Sequence, residues 1–171
     1  MLRPSAPAAA APQVAALVAA LLALLLPGVA RADELAGPAV VVSANVLDIG
    51  GIRVRLAATE GPRPDQICIR DESEWECGRS AADYLREIIG NQAVRCTVPA
   101  EASQVPVAAR CLVGSDDLAL KMVLAGYAFA FRREGDEYSE LEGVARRQRR
   151  GLWASDFLLS RDGSIDGDKT R

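Results

Sequence analysis

Histidine is absent from all 171 residues, and that absence removes several mechanisms at once. Ser-His-Asp and Cys-His catalysis, histidine general-base nucleases and His-ligated zinc sites all need an imidazole. Hydrolysis by this chain would have to run on carboxylates, arginines and a hard metal. No C-x2-C pair occurs either, which argues against a zinc site built from four cysteines. No apolar run reaches the ~20 residues that a membrane-spanning helix needs. The sequence also shows no internal repeat, no interdomain linker and no sugar-binding signature.

What is present begins with the 13-residue apolar run VAALVAALLALLL, Val14 to Leu26, preceded by Arg3 and broken by Pro27 and Gly28. Ala30-Arg31-Ala32 follows as a small-x-small cleavage signal, so residues 1–32 read as a secretory signal peptide, with an uncleaved N-terminal anchor as the alternative. The expected mature chain starts at Asp33, has no membrane span, and is periplasmic or secreted. Losing Arg3 and Arg31 takes the formal charge from −3 to −5. An acidic balance argues against a general polyanion binder, because non-specific nucleic-acid affinity comes from lysine and arginine displacing counterions.

Four cysteines, Cys68, Cys77, Cys96 and Cys111, are an even number in an exported chain and favour two disulfides. Three pairings are possible. The local ones, Cys68 with Cys77 and Cys96 with Cys111, are geometrically simplest: the first closes a short loop and the second joins consecutive strands.

Periodicity gives the order β-β-α-β-β-α-β-α. Ala39 to Leu47 and Ile52 to Ala58 are strand-like around the glycine turn Asp48-Ile49-Gly50-Gly51. Ile52, Val54 and Leu56 share one face and Arg53 and Arg55 the other; such arginines, taken alone, are a solvated face. Residues 59–77 are expected as a polar loop. A helix is predicted from about Arg79 to Ile89, ended by Gly90. Strands follow at Ala93 to Val98 and Val105 to Val113. Asp116 and Asp117 lead a short helix to Ala125, Tyr127 to Phe131 form a strand, and a last helix runs from about Glu137 to Arg150. Its basic run, Arg146, Arg147, Arg149 and Arg150, suits a helix C-terminus, with a nucleic-acid patch as the competing reading. Residues 33–38 are a short N-terminal segment, 39–157 the domain, and 158–171 a tail expected to be disordered. Asp162, Ser164, Asp166, Gly167 and Asp168 in that tail match the start of a calcium loop, but Lys169 stands where an apolar residue belongs and no bidentate glutamate follows.

Four segments, LDIGGIRVRLAA, CGRSAADYLREIIGNQAVRC, GSDDLALKMVLAGYAFAF and ARRQRRGLW, occur in an order that resembles the staphylococcal nuclease (thermonuclease) family from Val40 to Trp153. The resemblance implies an α+β fold, mainly β: a five-stranded OB-type barrel with three helices. It also implies calcium-dependent phosphodiester hydrolysis, in which a carboxylate activates water, two arginines neutralise the developing charge and aspartates hold the ion. Some exported bacterial relatives carry a label of envelope or exopolysaccharide production.

Mapped onto that pattern, the site is depleted. Ser43-Ala44-Asn45-Val46 stands where the family has Asp-Gly-Asp-Thr, so only the amide of Asn45 remains of the first metal carboxylates. Glu60-Gly61-Pro62-Arg63 stands where an Asp-x-Pro-Glu type sequence supplies a second metal carboxylate and the base. Glu60 can still reach an ion, but Arg63 cannot take a proton at neutral pH. Arg55 matches the first catalytic arginine. Gln104-Val105-Pro106 replaces the Tyr-Gly-Arg element, so Pro106 stands for the second, and Arg110 falls at a different strand position. Phe131 lacks the phenol the family often places there. The expectation is therefore no catalytic residue and no metal or other cofactor, with a retained groove. That groove would bind a nucleotide or nucleic acid weakly through Arg55, or serve an envelope protein or polysaccharide partner. The alternative is a hydrolase of altered site, using Glu60 and Asp65 around a shifted calcium.

Overall fold

The computed structural model describes residues 33–100 and 104–156; the leader and the tail read from the sequence lie outside the described residues. The chain forms a mixed α+β domain around one curled sheet, a half-barrel consistent with the OB-type expectation. Along the sheet run β1 (Asp33–Gly37), β8 (Val94–Val98), β9 (Val107–Val113), β4 (Ile52–Leu56), β3 (Val46–Ile49) and β2 (Ala39–Ser43), with β10 (Asp116–Asp117) also on β9. Every pairing is antiparallel except β4 with β9, which is parallel and sets Arg55 opposite Ala108. Two small ribbons complete the strands among the described residues: β5 (Thr59–Glu60) with β11 (Phe129–Ala130), and β6 (Cys68–Arg70) with β7 (Ser73–Trp75).

Several elements differ from the sequence expectation. Ala39 to Leu47 is not one strand: the chain reverses at Ala44-Asn45, pairing Ser43 with Val46 in a tight hairpin. No glycine marks this turn, so alternation alone ran straight through it. The segment before residue 39 adds β1 to the edge of β8. The expected loop 59–77 contains β5, β6 and β7, and the strand expected from Tyr127 to Phe131 shrinks to two residues. The Gly50-Gly51 turn does form. Both residues have positive φ, 61° and 88°, the backbone a two-residue right-twisted hairpin requires, and the Asp48 carboxylate accepts from the Gly51 amide at 2.9 Å.

Among the described residues three helices complete the domain. Helix α1 (Cys77–Ile89) buries Ala81, Ala82, Leu85 and Ile89, an i, i+4 stripe, and stops at Gly90, whose φ is 57°. Leu85 is fully buried, and burial of such a side chain stabilises by roughly 1.5–3 kcal/mol. Helix α2 (Leu118–Leu124) is capped by Asp117, whose carboxylate accepts from the Leu120 amide. Its Leu118, Ala119, Met122 and Val123 join Val54, Leu56, Val94 and the Cys96–Cys111 disulfide in the main core. Helix α3 (Ser139–Arg147) is shorter than periodicity predicted, because Arg149 turns to φ 50° and leads into a 3-10 turn, Gly151–Ala154.

A second, smaller core gathers the Cys68–Cys77 disulfide, Phe129 and Leu152, with Trp75 and Trp153 against it. Both disulfides pair as the spacing suggested. Gly126 and Gly151, each with positive φ, let the chain return to itself: the Leu152 amide donates to the Gly126 carbonyl at 2.8 Å. A Cβ on Gly126 would lie 2.3 Å from the Arg150 carbonyl oxygen. The Trp75 indole donates to Ser155 Oγ at 2.9 Å, and Arg70 lies over the Trp75 ring while donating to the Gly151 carbonyl. The C-terminal segment is thereby fastened to the β6–β7 ribbon. No described helix is long and apolar enough to cross a membrane.

Candidate functional site

Strand β4 places Arg55 in the wall of an open cleft of about 340 Å³, lined also by Asn45, Thr59, Glu60, Gly61, Phe131 and Glu134. The walls converge for local reasons. After Leu56 the chain turns at Ala57-Ala58, with Ala58 at φ 53°, so that Thr59 and Glu60 can pair with Phe129 and Ala130. The Phe131 amide donates to the Ala58 carbonyl at 2.9 Å, which brings the turn after β11, with Phe131 and Glu134, to the cleft wall. On the other side the Ala44-Asn45 hairpin closes against Gly61, where a Cβ would come within 2.8 Å of Ala44 Cβ. Glycine at 61 is what allows the two backbone segments to approach so closely.

The polar groups are largely engaged with one another. Asn45 Nδ2 donates to the Thr59 carbonyl at 3.1 Å inside the protein. Arg55 Nη1 donates to the same carbonyl at 3.3 Å. Arg55 Nη2 is bound by Glu134 Oε1, and Glu134 Oε2 accepts from the Ala58 amide at 3.0 Å. The two ion-paired side chains are 22% and 31% exposed, respectively. Glu134 is a charged cleft residue that sequence reasoning missed. It is separated from Arg55 by 79 residues, and no local period or motif connects the two.

Of the residues singled out from sequence, Asn45, Arg55, Glu60 and Phe131 come together in this cleft; Arg63 and Pro106 are not among its walls. Arg63 is held by its backbone: its amide donates to Gln66 Oε1 at 3.2 Å, and its carbonyl presses on Gly78, where a Cβ would lie 1.9 Å away. Its guanidinium is exposed, 3.8 Å from the Asp65 carboxylate. Asp65 itself lines a separate recess of about 160 Å³ with Gln66, Glu76 and Arg79. Among the described residues, no three Asp, Glu or Cys side chains gather in a group that could hold a metal ion.

Arg110 belongs to another cluster. Its Nε donates to Asp117 Oδ2 at 2.9 Å, and the Tyr138 hydroxyl donates to the same oxygen at 3.1 Å. The hydrogen bond to Asp117, with that carboxylate's charge, holds the Arg110 guanidinium above its ordinary pKa. Burial, reinforced by the Asp117 charge, pushes the Tyr138 phenol up as well. The basic run of α3 is partly structural: Arg146 lies over the Trp153 ring, and Arg150 donates to the Leu124 carbonyl at 3.0 Å.

A family model described as staphylococcal nuclease homologue matches residues 53–155, more than half of the chain. The chain belongs to this family. A search of curated proteins finds no match. The staphylococcal nuclease match begins at Arg53 on β4 and ends beyond the 3-10 turn, so it spans Arg55, both disulfides and Glu134. The hairpin that carries Asn45 lies before it.

Proposed function

We propose that this staphylococcal nuclease-like domain has lost phosphodiester hydrolysis and works as a binding or assembly factor outside the cytoplasm. Its place would be the cell envelope, in a role connected with exopolysaccharide production. The observation that carries the reading is the engagement of Arg55 by Glu134: the guanidinium matching a catalytic arginine is already neutralised by a carboxylate of the same chain. Asn45 supports it further, because its amide is used on the Thr59 carbonyl, and so does Arg63, a permanent cation at the position that matches the base. Export is supported by the leader sequence and by two disulfides, which persist in oxidising compartments.

Calcium does not suit this donor set. The ion takes about 6–8 oxygen ligands, whereas the cleft offers the carboxylates Glu60 and Glu134, the second of them bound to Arg55 and the Ala58 amide. Loss of a general base alone lowers rates by ~10²–10⁴, and loss of one charge-stabilising donor by ~10²–10³. The two do not simply multiply, since the residues of one site act as a unit.

The test is an assay of the purified mature domain on single-stranded DNA with calcium, magnesium and manganese in turn, beside Arg55→Ala. The expected result is no cleavage above a matched blank. Metal-dependent cleavage that disappears in Arg55→Ala would sink the reading. It would promote the second one, a hydrolase of altered site, which Glu134 favours because it brings a second carboxylate beside Glu60. In that case Glu60→Gln should also abolish the activity.

A further inference from the structure

The Glu134 carboxylate is held as an anionic ligand would be held. One oxygen meets a guanidinium nitrogen of Arg55, and the other accepts from the Ala58 backbone amide at 3.0 Å. A cation and an amide converging on two oxygens of one group make an oxyanion seat. The occupant comes from a short turn, closed by the Glu134 amide donating to the Phe131 carbonyl at 3.0 Å, and it lines the same cleft as Arg55. Arg55 is 22% and Glu134 31% exposed, and neither side chain belongs to the hydrophobic cores, so the pair meets solvent at the surface.

We infer that Glu134 is a built-in competitor for the Arg55 seat, and that the group it imitates is a phosphate, which enters by displacing it. This rests on the proposal that the cleft binds rather than hydrolyses. Phosphate fits for two reasons. It presents more than two oxygens to the fork of Arg55 and the Ala58 amide, so it gains contacts a carboxylate cannot make. It also carries enough charge to compete for a guanidinium against a single carboxylate, although Glu60 in the same wall opposes every anion and keeps affinity low. A binding-competent state that is open one tenth of the time weakens apparent affinity about tenfold, and a partly exposed ion pair reinforced by one hydrogen bond is of the strength that produces such a ratio.

The experiment titrates inorganic phosphate and, separately, a 5′-phosphorylated thymidine dinucleotide into the mature domain, its Glu134→Gln and Glu134→Ala variants, and Glu134→Gln combined with Arg55→Ala. Binding is read by amide chemical shifts. Both single variants should bind both probes about tenfold more tightly than the wild type, and the Arg55→Ala combination should lose the gain. A dinucleotide that gains where free phosphate does not identifies a nucleotide phosphate as the displacing group; equal gains identify phosphate itself. Equal affinity in the wild type and both variants overturns the inference, as does the absence of binding by every variant. Urea midpoints confirm that each variant is folded, and two different replacements guard against one that is not. DNA cleavage appearing in Glu134→Gln would overturn the loss of hydrolysis while tighter phosphate binding left the competitor role standing, so the two failures are distinguishable.

Discussion

Replacing Asp117 by alanine removes three contacts in one step, and their environments fix the expected cost. The carboxylate caps α2 through the Leu120 amide at 3.2 Å, and losing such a cap costs about 1 kcal/mol. It also accepts from Tyr138, which is only 6% exposed; a hydroxyl left buried without an acceptor costs roughly 1–3 kcal/mol. Arg110 is 68% exposed and returns to water at little cost. The total is roughly 2–4 kcal/mol, and with a urea slope of about 2 kcal/mol/M the midpoint should fall by about 1–2 M. Fluorescence of Trp75 and Trp153 reports the transition. Asp117→Asn retains a good cap and should lose less. Adding Tyr138→Phe to Asp117→Ala should recover part of the loss, because no hydroxyl is then stranded. The same cluster sets an alkaline limit. Burial first, and the Asp117 charge second, raise the Tyr138 phenol in the folded state, so its stabilising contribution is intact below the unfolded value of about 10. That contribution is lost as pH rises beyond 10 toward the raised folded value, and Tyr138→Phe should remove this part of the alkaline decline. An Asp117→Ala midpoint within about 0.3 M of wild type, at an unchanged slope, would refute the reasoning.

Peptide mapping without reduction should return Cys68 with Cys77 and Cys96 with Cys111, whose separations of 9 and 15 residues correspond in the loop-entropy model to about 2.6 and about 3 kcal/mol on paired replacement by serine. A peptide joining Cys68 to Cys96 would contradict both the pairing and the strand order. Gly126→Ala forces a Cβ toward the Arg150 carbonyl at positive φ and should cost at least about 2 kcal/mol. Denaturation together with the near-ultraviolet circular dichroism of Trp153 checks it, and a loss below about 0.5 kcal/mol would mean that the return of the chain at Gly151 is not tight.

Features written into short stretches were legible. The Gly50-Gly51 turn, the start of α2 at Asp116-Asp117 and α1 itself each lie within a few helical turns or a single hairpin, where periodicity and turn chemistry act. The local disulfides were legible for the same reason. The reversal at Ala44-Asn45 was not, because neither residue needs a positive φ and the alternation of β2 and β3 continues through it. At the site, the pattern named Asn45, Arg55 and Glu60, which line the cleft, and Arg63 and Pro106, which are not among its walls. Glu134 escaped because the turn that carries it becomes a neighbour of β4 only through the β5–β11 ribbon, a contact invisible to any local window.

The parallel pairing of β4 with β9 bears on how the chain behaves before it is complete. Val54, Arg55 and Leu56 find Val107, Ala108 and Ala109 about fifty residues later, while β2, β3 and β4 can zip together at once. A nascent or refolding chain therefore carries an open ladder edge on β4 during that interval, and open edges recruit foreign strands. Arg53 and Arg55 sit on that edge, where a second copy would have to bring like charges into register. Charged side chains on an open edge disfavour such pairing, a reason for the arginine pair that owes nothing to any ligand.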